Sequence, residues 1–281
     1  MFTNASSVVI GGKEVQSIVT SNGGVLYQKS SPSPSTVSSI SLSSSSNILS
    51  AYHSESATLT ATATDNNSNP VANATVEFFN GSTSLGTSTT NSSGVATKSY
   101  SATGVGDVSL TATSGNVSSS AVTVEDCLFY DTTELSQSST QTGGDKSTAM
   151  GDDINLTVPN KFEVTYDFKT TINGSRLNFC KHNSVTSNPQ YSMYFGTGTN
   201  GYFEYGVRSS STSSTVESIT NDSAYHSYKI ARNGSSLTYY RDGSQVGTKS
   251  ASWIDSYSYR FYWSYWRSGT MYIKNRKVKA V

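Results

Sequence analysis

The sequence predicts an all-β protein: a short N-terminal hairpin unit followed by two β-sandwiches. Three observations carry that expectation. Apolar residues recur at every second position, as in Ala57, Leu59, Ala61 and Ala63 or Phe162, Val164, Tyr166 and Phe168, the period of a strand with one buried face. Turn dipeptides such as Asn233-Gly234 and Asp242-Gly243 punctuate the runs, and Asn-Gly and Asp-Gly accept the backbone angles of tight hairpins. No segment carries a convincing helical period.

Composition narrows the class. The 281 residues carry 14% charged side chains and a formal net charge of zero, a length suited to two modest domains. Serine and threonine make up about a third of the chain. The 18 Tyr, 10 Phe and 3 Trp are too many aromatics for a disordered tract, and 5 Pro with 22 Gly exclude collagen-like and Pro-rich classes. Zero net charge argues against a nucleic-acid binder, which needs a basic face. No stretch approaches the ~20 apolar residues of a membrane span and no lipidation box is evident, so no membrane insertion is expected.

Met1 to Ser7 show neither the basic segment nor the apolar run of a secretory leader. An outside-type composition without a leader fits a virion component made in host cytoplasm and released by lysis. A leader lost by truncation is the competing explanation. Triplets such as Asn73-Ala74-Thr75 and Asn116-Val117-Ser118 satisfy the glycosylation pattern, but a Ser/Thr-rich chain generates them by chance.

Residues 1–29 form the N-terminal unit. Val8-Val9-Ile10, Val15, Ile18 and Val19 lead into Ser21-Asn22-Gly23-Gly24 and Val25-Leu26-Tyr27, apolar runs flanking a hairpin turn. So small a unit must dock or oligomerise. Residues 30–36 are a Ser/Pro linker, semi-extended.

Residues 37–126 hold strands at regular short spacing. Ala57 to Thr64 alternates small apolar residues with threonine, Asn66 to Pro70 turns the chain, and Val76 and Phe78 continue the inward face. Gly81, Gly86 and Gly94 mark later turns, before Val108, Leu110, Ala112, Val122 and Val124. Seven or so short strands over this length suggest an immunoglobulin-like sandwich. The segments Ala57-Thr58-Leu59-Thr60-Ala61, Asn69-Pro70-Val71-Ala72-Asn73-Ala74-Thr75-Val76, Asn91-Ser92-Ser93-Gly94-Val95-Ala96 and Gly106-Asp107-Val108 resemble the invasin-type bacterial Ig-like repeat.

Residues 127–281 are a second all-β unit, with alternating runs at 162–168, at Phe203, Tyr205 and Val207, and at His226, Tyr228 and Ile230. Residues 237–247 form a hairpin around Asp242-Gly243, and Met271-Tyr272-Ile273-Lys274-Asn275 opens the terminal strand. Tyr225-His226-Ser227-Tyr228-Lys229-Ile230, Asn233-Gly234, Asp242-Gly243 and the run from Gly269 to Asn275 resemble the concanavalin A-like, or laminin-G-like, jelly roll. Cys127 and Cys180 are the two cysteines. A zinc site needs four ligands, and Cys180-Lys181-His182 with distant Cys127 approximates one poorly, which leaves two buried thiols or one disulfide tying the domain's first strand to its sheet.

The resemblance to a fold that includes glycosidases calls for a test of catalysis. Retaining hydrolysis needs two carboxyl groups about 5–5.5 Å apart, and the family pattern is Glu-x-Asp-x-x-Glu. Glu163 and Asp167 are spaced by four, lack a third carboxylate and share the parity opposite to the aromatic face, as on a solvated surface. Glu204 and Glu217 have no acidic neighbour at a useful spacing. His53, His182 and His226 lie in different settings without a Gly-x-Ser-x-Gly elbow. Gly196 to Gly201 resembles a phosphate loop but precedes no helix, so it reads as a β-turn. No enzyme is expected. Laminin-G-like modules often hold calcium, and Asp152, Asp153 and Asp222 are eligible oxygen donors, though they match no site of that family; no other cofactor is implied.

The most informative stretch is 257–268. Its odd positions, Tyr257, Tyr259, Phe261, Trp263 and Tyr265, form an unbroken aromatic row. A strand in a sandwich must turn one row to the core. The packing reading takes the odd row, leaving Arg260, Tyr262 and Trp266, with Arg267 beside them, as candidate ligand-binding residues. Tyr, Trp and Arg give recognition surfaces rigid area and planar hydrogen bonding. Burial of both rows between sheets is the alternative. The basic finish, Lys274, Arg276, Lys277 and Lys279, is expected at a solvated strand edge that lysine protects from pairing, with an anionic glycan as the other reading.

Gly11-Gly12-Lys13-Glu14-Val15 through Gly23-Gly24-Val25-Leu26-Tyr27 resembles the N-terminal stub of phage tail-associated and other virion structural proteins. That resemblance implies a virion-associated adhesin, a tail fibre or receptor-binding protein. Its jelly roll would bind a host cell-surface glycan, the Ig-like domain would act as spacer, and residues 1–29 would join other virion subunits. A homo-oligomer, such as a trimer, would supply avidity. Three rival readings are a capsid or tail decoration protein without a host ligand, a prokaryotic cell-surface adhesin, and a polysaccharide-degrading enzyme.

Overall fold

In the computed structural model the described residues are 8–10, 13–15, 17–19, 25–28, 36–140, 146–149, 155–181, 192–208, 212–251, 258–265 and 267–281. None of them is helical; the fold is all-β, with an Ig-like sandwich and a jelly-roll sandwich. In the N-terminal unit Val8–Ile10 pairs antiparallel with Lys13–Val15, and Ser17–Val19 with Val25–Gln28. The Asn22-Gly23-Gly24 turn and residues 30–35 of the linker lie outside the described residues.

The first sandwich sets a three-stranded sheet, ordered Val95–Ser101, Ser56–Thr64, Ser39–Ser44, against a larger one. The larger sheet runs Ile48–Ser50, Val122–Cys127, Gly106–Ser114, Thr75–Asn80, Thr83–Thr89. Ala57, Leu59, Ala61 and Ala63 are all buried against Val76, Phe78, Leu110, Ala112 and Val124, so the alternation in the sequence is the core face. The turn at 91–94 shows why its residues are Asn and Gly. Asn91 Oδ1 accepts hydrogen bonds from the Ser93 and Val95 amides. Gly94 sits at φ +73, where a Cβ would stand 2.5 Å from the Ala63 carbonyl oxygen.

The second sandwich has two seven-stranded sheets. One runs Phe129–Asp131, Gly269–Ala280, Lys161–Thr170, His226–Asn233, Ser236–Arg241, Ser244–Ser250, with Leu135–Ser139 also on Gly269–Ala280. The other runs Lys146–Ala149, Ser258–Tyr265, Ser175–Lys181, Ser192–Thr197, Tyr202–Arg208, Thr212–Thr220, with Leu156–Thr157 also on Ser258–Tyr265. Between them lies an aromatic core in which Phe162, Tyr166, Phe179, Phe195, Tyr239 and Phe261 are buried; each such side chain contributes about 1.5–3 kcal/mol on transfer from water. The hairpin at Asp242-Gly243 has both residues at positive φ, +50 and +78, the conformation two-residue hairpin turns require.

Three features of this domain go beyond or against the sequence reading. Gly269–Ala280 is an interior strand, paired with Lys161–Thr170 on one side and with Phe129–Asp131 and Leu135–Ser139 on the other. Its basic residues therefore do not guard an edge. Lys277 Nζ reaches Glu125 at 2.7 Å and Lys279 Nζ reaches Asp107 at 3.1 Å, both carboxylates of the Ig-like domain. Arg276 is fully buried, with Nη2 2.6 Å from Asp131, and Lys274 lies over the Tyr225 ring. The cysteines are both buried and both free thiols, which settles the choice left open by the sequence.

The two sandwiches are joined by one residue, Leu128, between Val122–Cys127 and Phe129–Asp131. The Ala51 and Tyr52 amides donate to the Cys127 and Leu128 carbonyls, and the Tyr130 amide donates to Ser50 Oγ. Phe129 packs edge-on to Tyr52.

Candidate ligand-binding face

The second sheet of the jelly roll has a core face and an outward face, and strand parity sorts the residues. Tyr259, Phe261, Trp263 and Tyr265 point into the core, and Arg260, Tyr262 and Ser264 occupy the opposite face. Antiparallel register places Arg260, Cys180, Ser192 and Arg208 in one cross-strand row, and Tyr262, Asn178, Tyr194 and Gly206 in the next. A third row holds Ser264, Arg176, Gly196, Glu204 and Val216. Most of this face is not open to solvent: Tyr262 is 3% exposed, Arg260 7%, and Asn178, Cys180, Ser192 and Tyr194 are buried.

Polar contacts knit the face together. Asn178 Nδ2 donates to Ser264 Oγ at 2.9 Å and to the Tyr262 carbonyl at 3.3 Å. The Arg260 guanidinium lies 5.3 Å from the Tyr262 ring centroid, a cation–π distance. Burial pushes the Cys180 thiol up to about 12 against the opposing charge of Arg260, which favours the neutral thiol. Burial also raises the Tyr194 hydroxyl, with Arg176 opposing it.

The third row contains the pair that sequence spacing did not reveal. Arg176 and Glu204 are separated by an intervening strand, and Arg176 Nε donates to Glu204 Oε1 in a charge-assisted hydrogen bond. The bridge is possible because the residue between them is Gly196. A Cβ there would stand 2.1 Å from the Ser175 carbonyl oxygen, 2.7 Å from Arg176 Cα and 2.8 Å from Arg176 Cγ. The guanidinium also lies 4.5 Å from the Tyr194 ring centroid, which fixes its plane.

At this end the face opens. Arg176 and Glu204 line a groove of about 230 Å³ with Thr197, Gly198, Thr199, Asn200 and Val216. The 198–201 turn is closed by the Gly201 amide donating to Gly198 O, and Asn200 Oδ1 accepts from the Tyr202 amide. The Gly196-to-Gly201 run is thus a strand end and a β-turn. Val216 is 49% exposed. The groove offers a cationic donor, an anionic acceptor, amide and hydroxyl groups and an apolar wall, suited to hydrogen-bonding a small polyhydroxylated ligand.

Of the candidates read from the sequence, Arg260 and Tyr262 lie on this face but are buried and do not line the groove, Arg267 is exposed at the turn after Ser258–Tyr265, and Trp266 lies outside the described residues. Asp152 and Asp153 are outside them too. Asp222 is committed to His226: its oxygens lie 3.0 and 3.1 Å from Nε2, and Asp242 Oδ2 lies 2.7 Å from Nδ1. Among the described residues no group of three or more His, Cys, Asp and Glu is placed to hold a metal. Glu163 and Asp167 lie on the outward face of the other sheet, with Glu163 3.1 Å from Lys229 and Asp167 accepting from Asn275.

Fold and site together define a two-domain β-sandwich protein, an Ig-like domain followed by a jelly roll with a polar groove. Residues 39–125 match the family of the bacterial Ig-like domain (group 1). No curated protein matches the chain. Among solved structures the chain is similar to a carbohydrate-binding module from Bacillus subtilis, at 10% identity over 53% of this chain and 97% of that one, with a TM-score of 0.38. It is similar to the galectin LEC-6 of Caenorhabditis elegans at 12% identity, 51% and 95% coverage and a TM-score of 0.31. A sialidase matches at 12% identity and a TM-score of 0.38 over 57% of this chain, which spans 16% of the sialidase. These are remote likenesses, and the functional reading rests on the face described above.

Proposed function

We propose that the protein is a non-catalytic adhesin whose jelly roll binds a cell-surface glycan in the Arg176–Glu204 groove. The carrying observation is the charged pair bridged over Gly196 and opening into that groove. A guanidinium and a carboxylate at fixed spacing answer two neighbouring hydroxyls of one sugar ring, one donating and one accepting. Preorganisation by Tyr194 below and the 198–201 turn beside lowers the ordering cost of binding. The Ig-like domain is the spacer.

The setting we propose is the virion: a tail fibre or receptor-binding protein, held to other virion subunits by residues 1–29 and acting as a homo-oligomer so that weak sites gain avidity. The resemblance of residues 11–27 to virion-protein stubs supports it. A non-enzymatic role is supported by Glu163 and Asp167, whose carboxylates are engaged by Lys229 and Asn275.

The test is binding of the oligomerised chain to glycan arrays and intact cells, alongside Val216→Glu, a change at an exposed groove position. Loss of binding with an unchanged melting temperature supports the reading. Binding undiminished by Val216→Glu moves the site elsewhere. Reducing-end release from any polysaccharide overturns the non-catalytic reading.

A further inference from the structure

We infer that the groove takes a neutral sugar unit presenting two vicinal hydroxyls, and rejects uronic, sialic and sulfated sugars. This rests on the glycan reading above and names its ligand class. Charge decides the preference. Among the described residues lining the groove, Arg176 is the one cation and Glu204 the one carboxylate, and they are bonded to each other. The site therefore carries no net charge to attract an anion.

An acidic sugar would meet a second obstacle. Drawing its carboxylate to the guanidinium brings it beside Glu204, whose side chain is only 5% exposed. Repulsion between like charges is much less screened there than at an open surface. A neutral ring meets neither obstacle. Its hydroxyls both donate and accept, so one can donate to the Glu204 carboxylate while its neighbour accepts from the guanidinium, leaving the existing pair intact. Val216 supplies an apolar wall for the ring's C–H face, and Thr199 and Asn200 add hydroxyl and amide groups to the lining. The volume, about 230 Å³, is below the ~300–1,000 Å³ of sites that engulf drug-sized ligands. It suits one ring of a chain or its terminal residue.

Glu204 is the specificity-determining residue in this account. In Glu204→Gln the shape is kept but the groove becomes cationic, so preference shifts from neutral toward acidic sugars. The experiment prints two panels, neutral glucans, mannans and galactans against polygalacturonate, alginate, sialylated and sulfated glycans, and probes them with wild type, Glu204→Gln and Asn200→Ala. Wild type is expected to bind the neutral panel at least about tenfold better. Glu204→Gln is expected to lose about tenfold or more on it, the scale of one charge-assisted hydrogen bond, and to gain on the acidic panel. Asn200→Ala, at the rim, keeps the neutral preference with weaker binding and covers the case in which Glu204→Gln does not fold. Wild-type preference for acidic glycans, or a folded Glu204→Gln with unchanged preference, overturns the inference while leaving glycan binding in place. Binding to neither panel overturns the glycan reading itself.

Discussion

Gly196 is the residue on which the proposed site turns. It is not a turn glycine: it lies within Ser192–Thr197, and its role is to let the Arg176 side chain cross the strand to Glu204. Gly196→Ala should destabilise the protein by about 1–3 kcal/mol, the scale of overpacking, and should reduce ligand binding more than the melting temperature implies. Urea denaturation and binding on the same sample check both. The His226 clamp makes a pH prediction. Hydrogen bonds from the Ala224 amide and His226 hold the Asp222 carboxyl below its ordinary 3.8. For Asp242 burial works upward but is outweighed by His226 and the Ser227 amide, and the net direction is again down. A depressed carboxyl pKa adds stability above the ordinary value and loses it as pH falls through the folded one. Thermal melts should therefore drop below pH 3.8, and Asp242→Asn should drop less steeply than wild type over that interval.

At the scale of elements, the end of the Ig-like domain depends on one buried carboxylate. Asp126, on Val122–Cys127, accepts from the Tyr100 hydroxyl at 2.7 Å, Thr103 Oγ1 at 2.8 Å, the Thr103 amide at 2.9 Å and the Gly104 amide at 2.7 Å. Burial and this carboxylate push the Tyr100 hydroxyl up to about 12. Asp126→Ala leaves these donors without their acceptor and should cost about 3 kcal/mol or more, measurable as a lower urea midpoint. The strands themselves were legible in the sequence, because period-two alternation is local: Ala57 to Ala63 and Phe162 to Phe168 are core faces as read. Parity also assigned the odd row of Ser258–Tyr265 to the core. What parity could not give was exposure, since what covers Tyr262 and Arg260 is decided by the tertiary fold. The Arg176–Glu204 pair escaped for a related reason. Cross-strand neighbours follow from strand order in the sheet, and these two are 28 residues apart. The signal was present as shared parity: Arg176, Asn178, Glu204 and Gly206 all oppose the aromatic face of their strands.

Across the whole molecule, the basic C-terminal strand ties the two sandwiches together. Its partners Glu125 and Asp107 lie 152 and 172 residues away, beyond any local pattern, which is why the sequence read as a guarded edge. For Lys279 burial works downward, but Asp107 and Glu125 outweigh it and raise its pKa, so it remains charged at neutral pH. Gly106, at φ +98, brings the Ig-like domain against the Ala280 carbonyl, where a Cβ would stand 2.5 Å away. With one residue between the domains and these contacts across them, the chain should unfold in a single calorimetric transition. Each partly exposed ion pair contributes at most about 1 kcal/mol, so Lys277→Ala/Lys279→Ala should lower that transition modestly and begin to split it. Two well-separated transitions in the wild type would contradict the coupling.

The most direct test of the central claim is the structure of the chain bound to the strongest neutral saccharide from the glycan panels. One sugar ring is expected in the groove beside Val216, with neighbouring hydroxyls within hydrogen-bond distance of the Glu204 carboxylate and the Arg176 guanidinium. A saccharide seated elsewhere, at Arg267 or between the two sandwiches, with the Arg176–Glu204 groove empty, would contradict it.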